Sequence, residues 1–172
     1  MADPSFAFMS NTDEWHTPDW LIYIANSSMA TIDLDPASNY EANQAVGALN
    51  FCTKEDDGLT QDWYGNVFLN PPYSIVSKFV SKAIEEYESG RVKNLFLIVN
   101  ASTDTKWFLP LFEYLIWFPS GRVKFNRPDG SVGGSPTKGT AVVLMSKDED
   151  VILRFKHWCA ENGPGAVVTK CP

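Results

Sequence analysis

The sequence predicts an α/β fold: an open sheet, mostly parallel, with an antiparallel element near the C-terminus and helices on both faces. Three observations predict it. Short apolar runs alternate with helix-spaced segments up to about residue 118, the order that builds β-α-β units. Leu95 to Val99 is a continuous apolar run, as expected of a strand covered on both faces. Beyond residue 118, Arg122–Phe125 and Thr140–Met145 read as two strands joined by a loop, which suits an antiparallel pair. The 172 residues read as one domain, with a core from about residue 14 to 161, no internal repeat and no interior boundary.

Residues 11–17 are polar and irregular. Thr17-Pro18 opens a helix, with Thr as N-cap and Pro at the first helical position. Asp19 suits the positive end of its dipole, and Leu21, Ile22, Ile24 and Ala25 carry it to about Ser28. Ala30 to Leu34 reads as a short strand ending at Asp35-Pro36. A weak helix over 39–48 and a strand from Leu49 to Thr53 follow, then the acidic turn Glu55-Asp56-Asp57-Gly58. The next strand, Val67 to Leu69, stops at Asn70-Pro71-Pro72-Tyr73. Ser74 caps an amphipathic helix with Val76, Phe79, Val80, Ala83, Ile84 and Tyr87 on one side and Lys78, Lys82, Glu85 and Glu86 on the other. Gly90 ends it.

After Leu95–Val99, Thr103 to Leu109 reads as a short helix disturbed by Pro110, and Tyr114 to Phe118 as a strand. The segment between Phe125 and Thr140 is a Gly-, Ser- and Pro-rich loop of about fourteen residues, long for a hairpin connection. Glu149 to Glu161 closes with an amphipathic helix whose buried side carries Val151, Ile152, Phe155, Trp158 and Cys159. Gly163-Pro164-Gly165 stops it, and the tail reads as loose.

Composition narrows the classes of function. Hydrophobic residues make up 44% and charged residues 20% of the chain, which suits a compact core and argues against long disordered segments. No apolar run approaches the roughly 18 residues of a membrane span. Met1–Ser10 has neither the basic nor the apolar region of a signal peptide. Cys52, Cys159 and Cys171 follow no metal-ligand pattern, and their odd number fits a reducing cytoplasm. His16 and His157 are the only histidines, so no multi-histidine metal site is expected. Net charge is −7. Residues 1–77 hold one base and eleven acids, whereas residues 78–172 hold thirteen bases and ten acids. Arg122, Lys124, Arg127 and Lys138, opposed only by Asp129, form a local basic group that can bind phosphate or simply make a solvated face.

Chemistry concentrates at Asn70-Pro71-Pro72-Tyr73. An asparagine amide offers one acceptor oxygen and two donor hydrogens. The prolines lack N–H groups, which leaves neighbouring carbonyls able to accept from a ligand. Tyr73 adds a flat ring. Together they can grip an exocyclic amine and stack on its base, the requirement for chemistry on an extruded nucleobase. The plainer reading is an Asn-Pro turn after a strand. Ligands of open α/β sheets bind at the carboxyl ends of the strands. That rule puts Asp35-Pro36 and Asn70-Pro71 in one crevice.

Four pieces in order carry a resemblance: Glu14-Trp15-His16-Thr17-Pro18; Asp33-Leu34-Asp35-Pro36-Ala37-Ser38; Asp57-Gly58-Leu59 with Asp62-Trp63; and Asn70-Pro71-Pro72-Tyr73. Over roughly residues 14–145 the chain resembles the amino-methyltransferases, most closely the small phage and prophage DNA N6-adenine methyltransferases of the Dam type. The resemblance implies a Rossmann-like methyltransferase sheet, S-adenosylmethionine as methyl donor and no metal. It implies double-stranded DNA as partner, with no membrane, for a monomer or weak homodimer in the cytoplasm of a bacterial host. It assigns catalysis to Asn70, Pro71, Pro72 and Tyr73. Asn70 and the Pro71 carbonyl would accept both hydrogens of adenine N6, and Tyr73 would stack on the flipped base. Donor binding falls to Trp15, Thr17, Pro18, Asp35, Pro36, Ala37, Asp57 and Leu59, with Asp35 facing the donor's ammonium. The local basic charge, rather than the resemblance, makes Arg122, Lys124, Arg127 and Lys138 the candidates for DNA contact, around a loop expected to read a short site without a separate recognition domain.

One departure stands out. Family members carry glycines in the donor loop, whereas Ser38-Asn39-Tyr40-Glu41 follows Pro36-Ala37 here. The acidic residue expected at the end of the second strand, to hold the donor's ribose hydroxyls, is not evident either, and Glu41 is the candidate substitute. Two other readings therefore stay open. One is an amino-methyltransferase acting on cytosine N4, RNA or protein glutamine. The other is a catalytically silent binding protein that kept the fold.

Overall fold

The computed structural model describes residues 15–134 and 136–169. Glu14, Cys171 and the segment Met1–Ser10 lie outside them, as does the start of the polar stretch 11–17. The strands are β1 (Leu34–Asp35), β2 (Asn50–Phe51), β3 (Gly65–Leu69), β4 (Val92–Asn100), β5 (Leu115–Pro119), β6 (Thr140–Ser146) and β7 (Gly165–Val168). The helices are α1 (Asp19–Met29), α2 (Tyr40–Val46), α3 (Val76–Glu88) and α4 (Glu149–Glu161).

All seven strands form one sheet in the order β2-β1-β3-β4-β6-β5-β7. β2, β1, β3 and β4 run parallel, and the pairs β4–β6, β6–β5 and β5–β7 are antiparallel. The mostly parallel α/β sheet with antiparallel strands toward the C-terminus agrees with the expectation from sequence.

The two-residue period of a strand sorts the core onto two faces. Phe68, Phe96, Ile98, Val142 and Leu144 point to one face, where α1 supplies Leu21, Ile24 and Ala25 and α4 supplies Val151, Phe155 and Cys159. Val67, Leu69, Leu95, Leu97, Val99, Val143 and Met145 point to the other, where α3 supplies Phe79, Val80 and Ala83. Helices thus cover both faces, as the apolar run at 95–99 predicts. On α4, Ile152 and Trp158 are only partly buried.

Several local expectations change. Thr17 is not a side-chain cap for α1; its hydroxyl is engaged elsewhere, as shown below. The predicted strand at 30–34 shrinks to Leu34–Asp35, because Ala30 takes a left-handed φ of 67° to leave α1. Ser74 does not cap α3; it sits inside a 3-10 turn, Tyr73–Ile75, that leads into the helix. Glu86 is buried rather than solvated, and it is held by Lys82 at 2.8 Å and Arg91 at 2.6 Å.

Residues 103–108 form turns, and the helical piece comes later as a 3-10 segment, Leu109–Glu113, with Pro110 in its first turn. Proline fits there because the first N–H groups of a helix have no internal partner. Arg122–Phe125 is irregular, since β4 and β5 occupy both edges of β6. Its Val123 and Phe125 are nevertheless buried. The tail is not loose through 165–168: it pairs with β5 from Ile116↔Val168 to Pro119↔Gly165. Among the described residues, no helix is long and apolar enough to cross a membrane.

Candidate active site

β3 ends at Leu69 because Pro71 and Pro72 cannot donate to the ladder that pairs it with β4. β1 ends at Asp35 for a related reason, with Pro36 next. β1 and β3 are adjacent parallel strands, and the chain passes from β1 to β2 on one side and on to β3 on the other. This is the switch point at which open α/β sheets leave a crevice. A cavity of about 340 Å³ lies there, and Asp35, Pro36, Ala37, Asn70 and Pro72 are all on its wall.

Asp35 is 3% exposed. Its Oδ1 accepts the Ala37 N–H at 3.1 Å, so the chain turns around the carboxylate. Burial pushes its carboxyl up to about 7, against the lowering effect of hydrogen bonds from Ala37 N–H and the Ser38 hydroxyl. The loop is tied to the residue after β2, where Ser38 N–H donates to the Cys52 carbonyl and Cys52 N–H to the Asp35 carbonyl, both at 2.9 Å. Beyond it, the Asn39 side chain accepts the Ala42 N–H at 2.8 Å and opens α2. The residues that replace the expected glycines therefore start a helix. Glu41 in its first turn lines the cavity, as do Thr53, Lys54 and Glu55 after β2.

A close approach of a different kind, backbone to backbone, joins this loop to another segment. A Cβ on Gly58 would lie 1.9 Å from the Pro36 carbonyl oxygen, so only glycine fits there. The Gly58 carbonyl accepts the indole N–H of Trp63 at 2.8 Å. Trp63 is wholly buried and stacks on Phe79. Asp57 holds a left-handed φ of 49°, and its Oδ1 accepts the Leu59 N–H at 3.2 Å. Asp57 and Gly58 line the cavity, whereas Leu59 faces a shallow groove with Ser77, Lys78 and Lys82.

Trp15, His16 and Thr17 make another part of the wall. The Asn70 amide donates to the Trp15 carbonyl at 3.3 Å and to the Thr17 hydroxyl at 3.1 Å. Among the described residues, no hydrogen bond reaches Asn70 Oδ1 or the Pro71 carbonyl, whereas the Pro72 carbonyl accepts the Ile75 N–H at 3.2 Å. Tyr73 is half-buried at the head of the 3-10 turn, and Pro18 is buried just before α1. Pro18, Pro71, Tyr73 and Leu59 stand off the cavity wall.

The basic residues sit apart from the cavity but are not disconnected from it. Arg122, Lys124, Arg127 and Lys138 are all exposed. Their loop pairs with the cavity wall: His16 and Asn126 exchange both backbone hydrogen bonds at 2.9 Å. The Trp15 ring lies against Gly133, where a Cβ would come within 2.5 Å of it. The Ala101 N–H donates to the Gly139 carbonyl at 2.8 Å, bringing the far end of the loop to the end of β4.

Comparison with known proteins decides the family. The family described as DNA N-6-adenine-methyltransferase (Dam) matches residues 5–163. A DNA N-6-adenine-methyltransferase of Haemophilus phage HP1 (strain HP1c1) is 37% identical over 142 residues, spanning 79% of this chain and 80% of its own. The chain belongs to the Dam family. A second Dam relative, the DNA N-6-adenine-methyltransferase of Escherichia phage T1, is 35% identical over 166 residues, spanning 85% of this chain and 68% of its own. The solved structure of the 23S rRNA methyltransferase ErmE overlaps 78% of this Dam chain and 69% of its own, with a TM-score of 0.48 and 12% identity. In this Dam chain, three features are not evident from sequence: the Gly58–Pro36 contact, the loop's pairing with His16, and the engagement of Thr17 with Asn70. Each joins segments that are far apart in the chain, and no local pattern announces such a contact.

Proposed function

We propose that this Dam-family chain transfers a methyl group from S-adenosylmethionine to N6 of adenine in double-stranded DNA. The observation that carries the reading is a pair of acceptors, Asn70 Oδ1 and the Pro71 carbonyl, that no hydrogen bond engages among the described residues, at the end of β3 beside the cavity. The cavity suits the donor: its volume lies in the range of small-ligand sites. It also carries a buried carboxylate at Asp35, fit to meet an ammonium. Trp15, Pro36, Ala37 and Asp57 line it as donor contacts, Thr17 lines it with its hydroxyl turned to Asn70, and Pro18 and Leu59 stand off the wall.

Bound there, S-adenosylmethionine supplies an electrophilic methyl group on its sulfonium. The protein's part is to make a poor nucleophile attack. Adenine N6 shares its lone pair with the ring. Two acceptors for its two hydrogens favour a pyramidal nitrogen and stabilise the positive charge that grows on it during transfer. The two prolines divide the work: the Pro71 carbonyl is left to the amine, and the Pro72 carbonyl closes the turn that presents Tyr73. The base leaves the duplex to reach this site and stacks on Tyr73, a contact worth ~1–3 kcal/mol. No strong base is needed, because the methylated nitrogen gives up its extra proton to water.

Arg122, Lys124, Arg127 and Lys138 hold phosphates, and the loop between them reads a short site. The protein works as one domain and as a monomer or weak homodimer, in the cytoplasm of a bacterial host. The silent-binder reading draws on the absent glycines, and the intact Asn70-Pro71-Pro72-Tyr73 counts against it. Labelled S-adenosylmethionine offered to unmethylated DNA, RNA and protein tests the proposal. Label is expected in DNA as N6-methyladenine. Label in RNA, protein or cytosine, with none on adenine of DNA, would overturn it.

A further inference from the structure

Asparagine's amide is nearly symmetric in shape and opposite in chemistry at its two ends. One end accepts and the other carries two donor hydrogens. Rotated by half a turn, Asn70 would still fit its space but would meet an amine with hydrogens rather than a lone pair. Something must forbid that rotation for Asn70 to serve as an amine acceptor.

We propose that Thr17 is a positioning residue for the reaction: its hydroxyl, with the Trp15 carbonyl, locks the Asn70 amide so that Oδ1 faces the amine. Counting donors and acceptors fixes the orientation. The Trp15 carbonyl can only accept, so the amide atom at 3.3 Å from it is the nitrogen. The second hydrogen on that nitrogen goes to Thr17 Oγ1 at 3.1 Å. Both donors are then used inside the protein, and the acceptor alone remains for a substrate. In the rotated state Oδ1 would oppose the Trp15 carbonyl, oxygen to oxygen.

Thr17 is buried, so water cannot readily stand in for its hydroxyl. No side-chain hydrogen bond caps α1, so the threonine at this helix start is available to serve Asn70. The contact crosses 53 positions of sequence and ties the Thr-Pro piece at the start of the fold to the Asn-Pro-Pro piece at its centre. This inference rests on Asn70 as the amine acceptor.

The test compares Thr17→Val, Thr17→Ala and Thr17→Ser in the full chain, with kcat from single-site DNA and donor affinity from calorimetry. Thr17→Val keeps the shape and removes the acceptor. A kcat loss on the order of tenfold is expected, with donor Kd changed less than about threefold. Thr17→Ser keeps the hydroxyl and is expected to recover most of the kcat lost in Thr17→Val. Nitrogen-15 NMR should show the Asn70 side-chain NH₂ protected from exchange in the wild type and Thr17→Ser, and unprotected in Thr17→Val. Should Thr17→Val fail to fold, Thr17→Ala gives the same readouts with less bulk. Unchanged kcat in a folded hydroxyl-free variant would overturn the proposal. So would donor affinity falling in step with kcat, which would make Thr17 a donor contact. A tenfold loss in Thr17→Ser would also overturn it. Asn70→Ala in parallel separates the two levels, since full activity there would remove the acceptor reading itself.

Discussion

Gly58 rests directly on the carbonyl of Pro36, so closely that a Cβ would stand 1.9 Å from the oxygen. The two residues come from different loops, one after β1 and one after β2. Their contact brings the cavity walls together without a glycine in the first loop. The Trp63 indole holds Gly58 from behind.

Gly58→Ala is therefore expected to be among the most damaging small substitutions. Backbone atoms must move to admit the methyl, and overpacking of this kind costs about 1–3 kcal/mol or more. Thermal melting should show the loss, and calorimetry should show donor affinity down by at least an order of magnitude. Trp63→Phe keeps most of the buried ring but leaves the Gly58 carbonyl unpaired, at a cost of about 1–3 kcal/mol.

Asp35 predicts two opposite dependences on pH. Its carboxyl is raised from the ordinary 3.8 to about 7, chiefly by burial. The folded state thus prefers the protonated form. The stability this contributes is full below the ordinary carboxylate range and is lost as pH rises through about 7, at most about 4 kcal/mol. Asp35→Asn should flatten that fall, so its melting advantage over the wild type should grow from pH 5.5 to pH 8. Donor affinity should run the other way in the wild type, rising across pH 6 to 8 as the carboxylate ionises to meet the ammonium. In Asp35→Asn it should be weak and flat. Wild-type donor affinity that is independent of pH would remove Asp35 from the ammonium.

Asn70→Ala removes one of two acceptors for the amine. Loss of one such group in other enzymes costs roughly 10²–10³ in kcat. The same is expected here, with donor binding within about threefold of wild type by calorimetry.

Single alanine substitutions at Arg122, Lys124, Arg127 and Lys138 should weaken DNA binding about equally for all sequences. Removing one cation from a phosphate should reduce the slope of log affinity against log salt by about 0.9. kcat at saturating DNA should stay near wild type. An unchanged slope in all four variants would take the loop off the DNA face.

What the sequence makes legible follows the range of the interactions. Val67–Leu69, Leu95–Val99 and Glu149–Glu161 lie within the observed elements because their patterns are local and the core repeats them. The rule that ligands meet strand ends puts Asp35 and Asn70 in one crevice, and both line the same cavity. Arg122–Phe125 misleads because Val123 and Phe125 point inward while Arg122 and Lys124 point out, the alternation of a strand. The inward pair is buried as that alternation implies, yet β6 has no edge left to offer a further strand. Thr17 misleads in a similar way. Thr-Pro is a sound local cap, and a partner 53 positions away outcompetes the helix for its hydroxyl. β7 carries too little pattern to be seen alone, because its pairing with β5 creates it.

That last strand bears on how the protein can be handled. β7 is short, mostly exposed and begins with a glycine under the Trp117 indole. It covers the outer side of β5, whose residues 115–118 are Leu, Ile, Trp and Phe. The family match stops at residue 163, so trimming the chain to the matched region would look harmless. It would instead bare the main-chain hydrogen-bonding groups of a hydrophobic edge, an invitation to pair with the same edge of another molecule and aggregate.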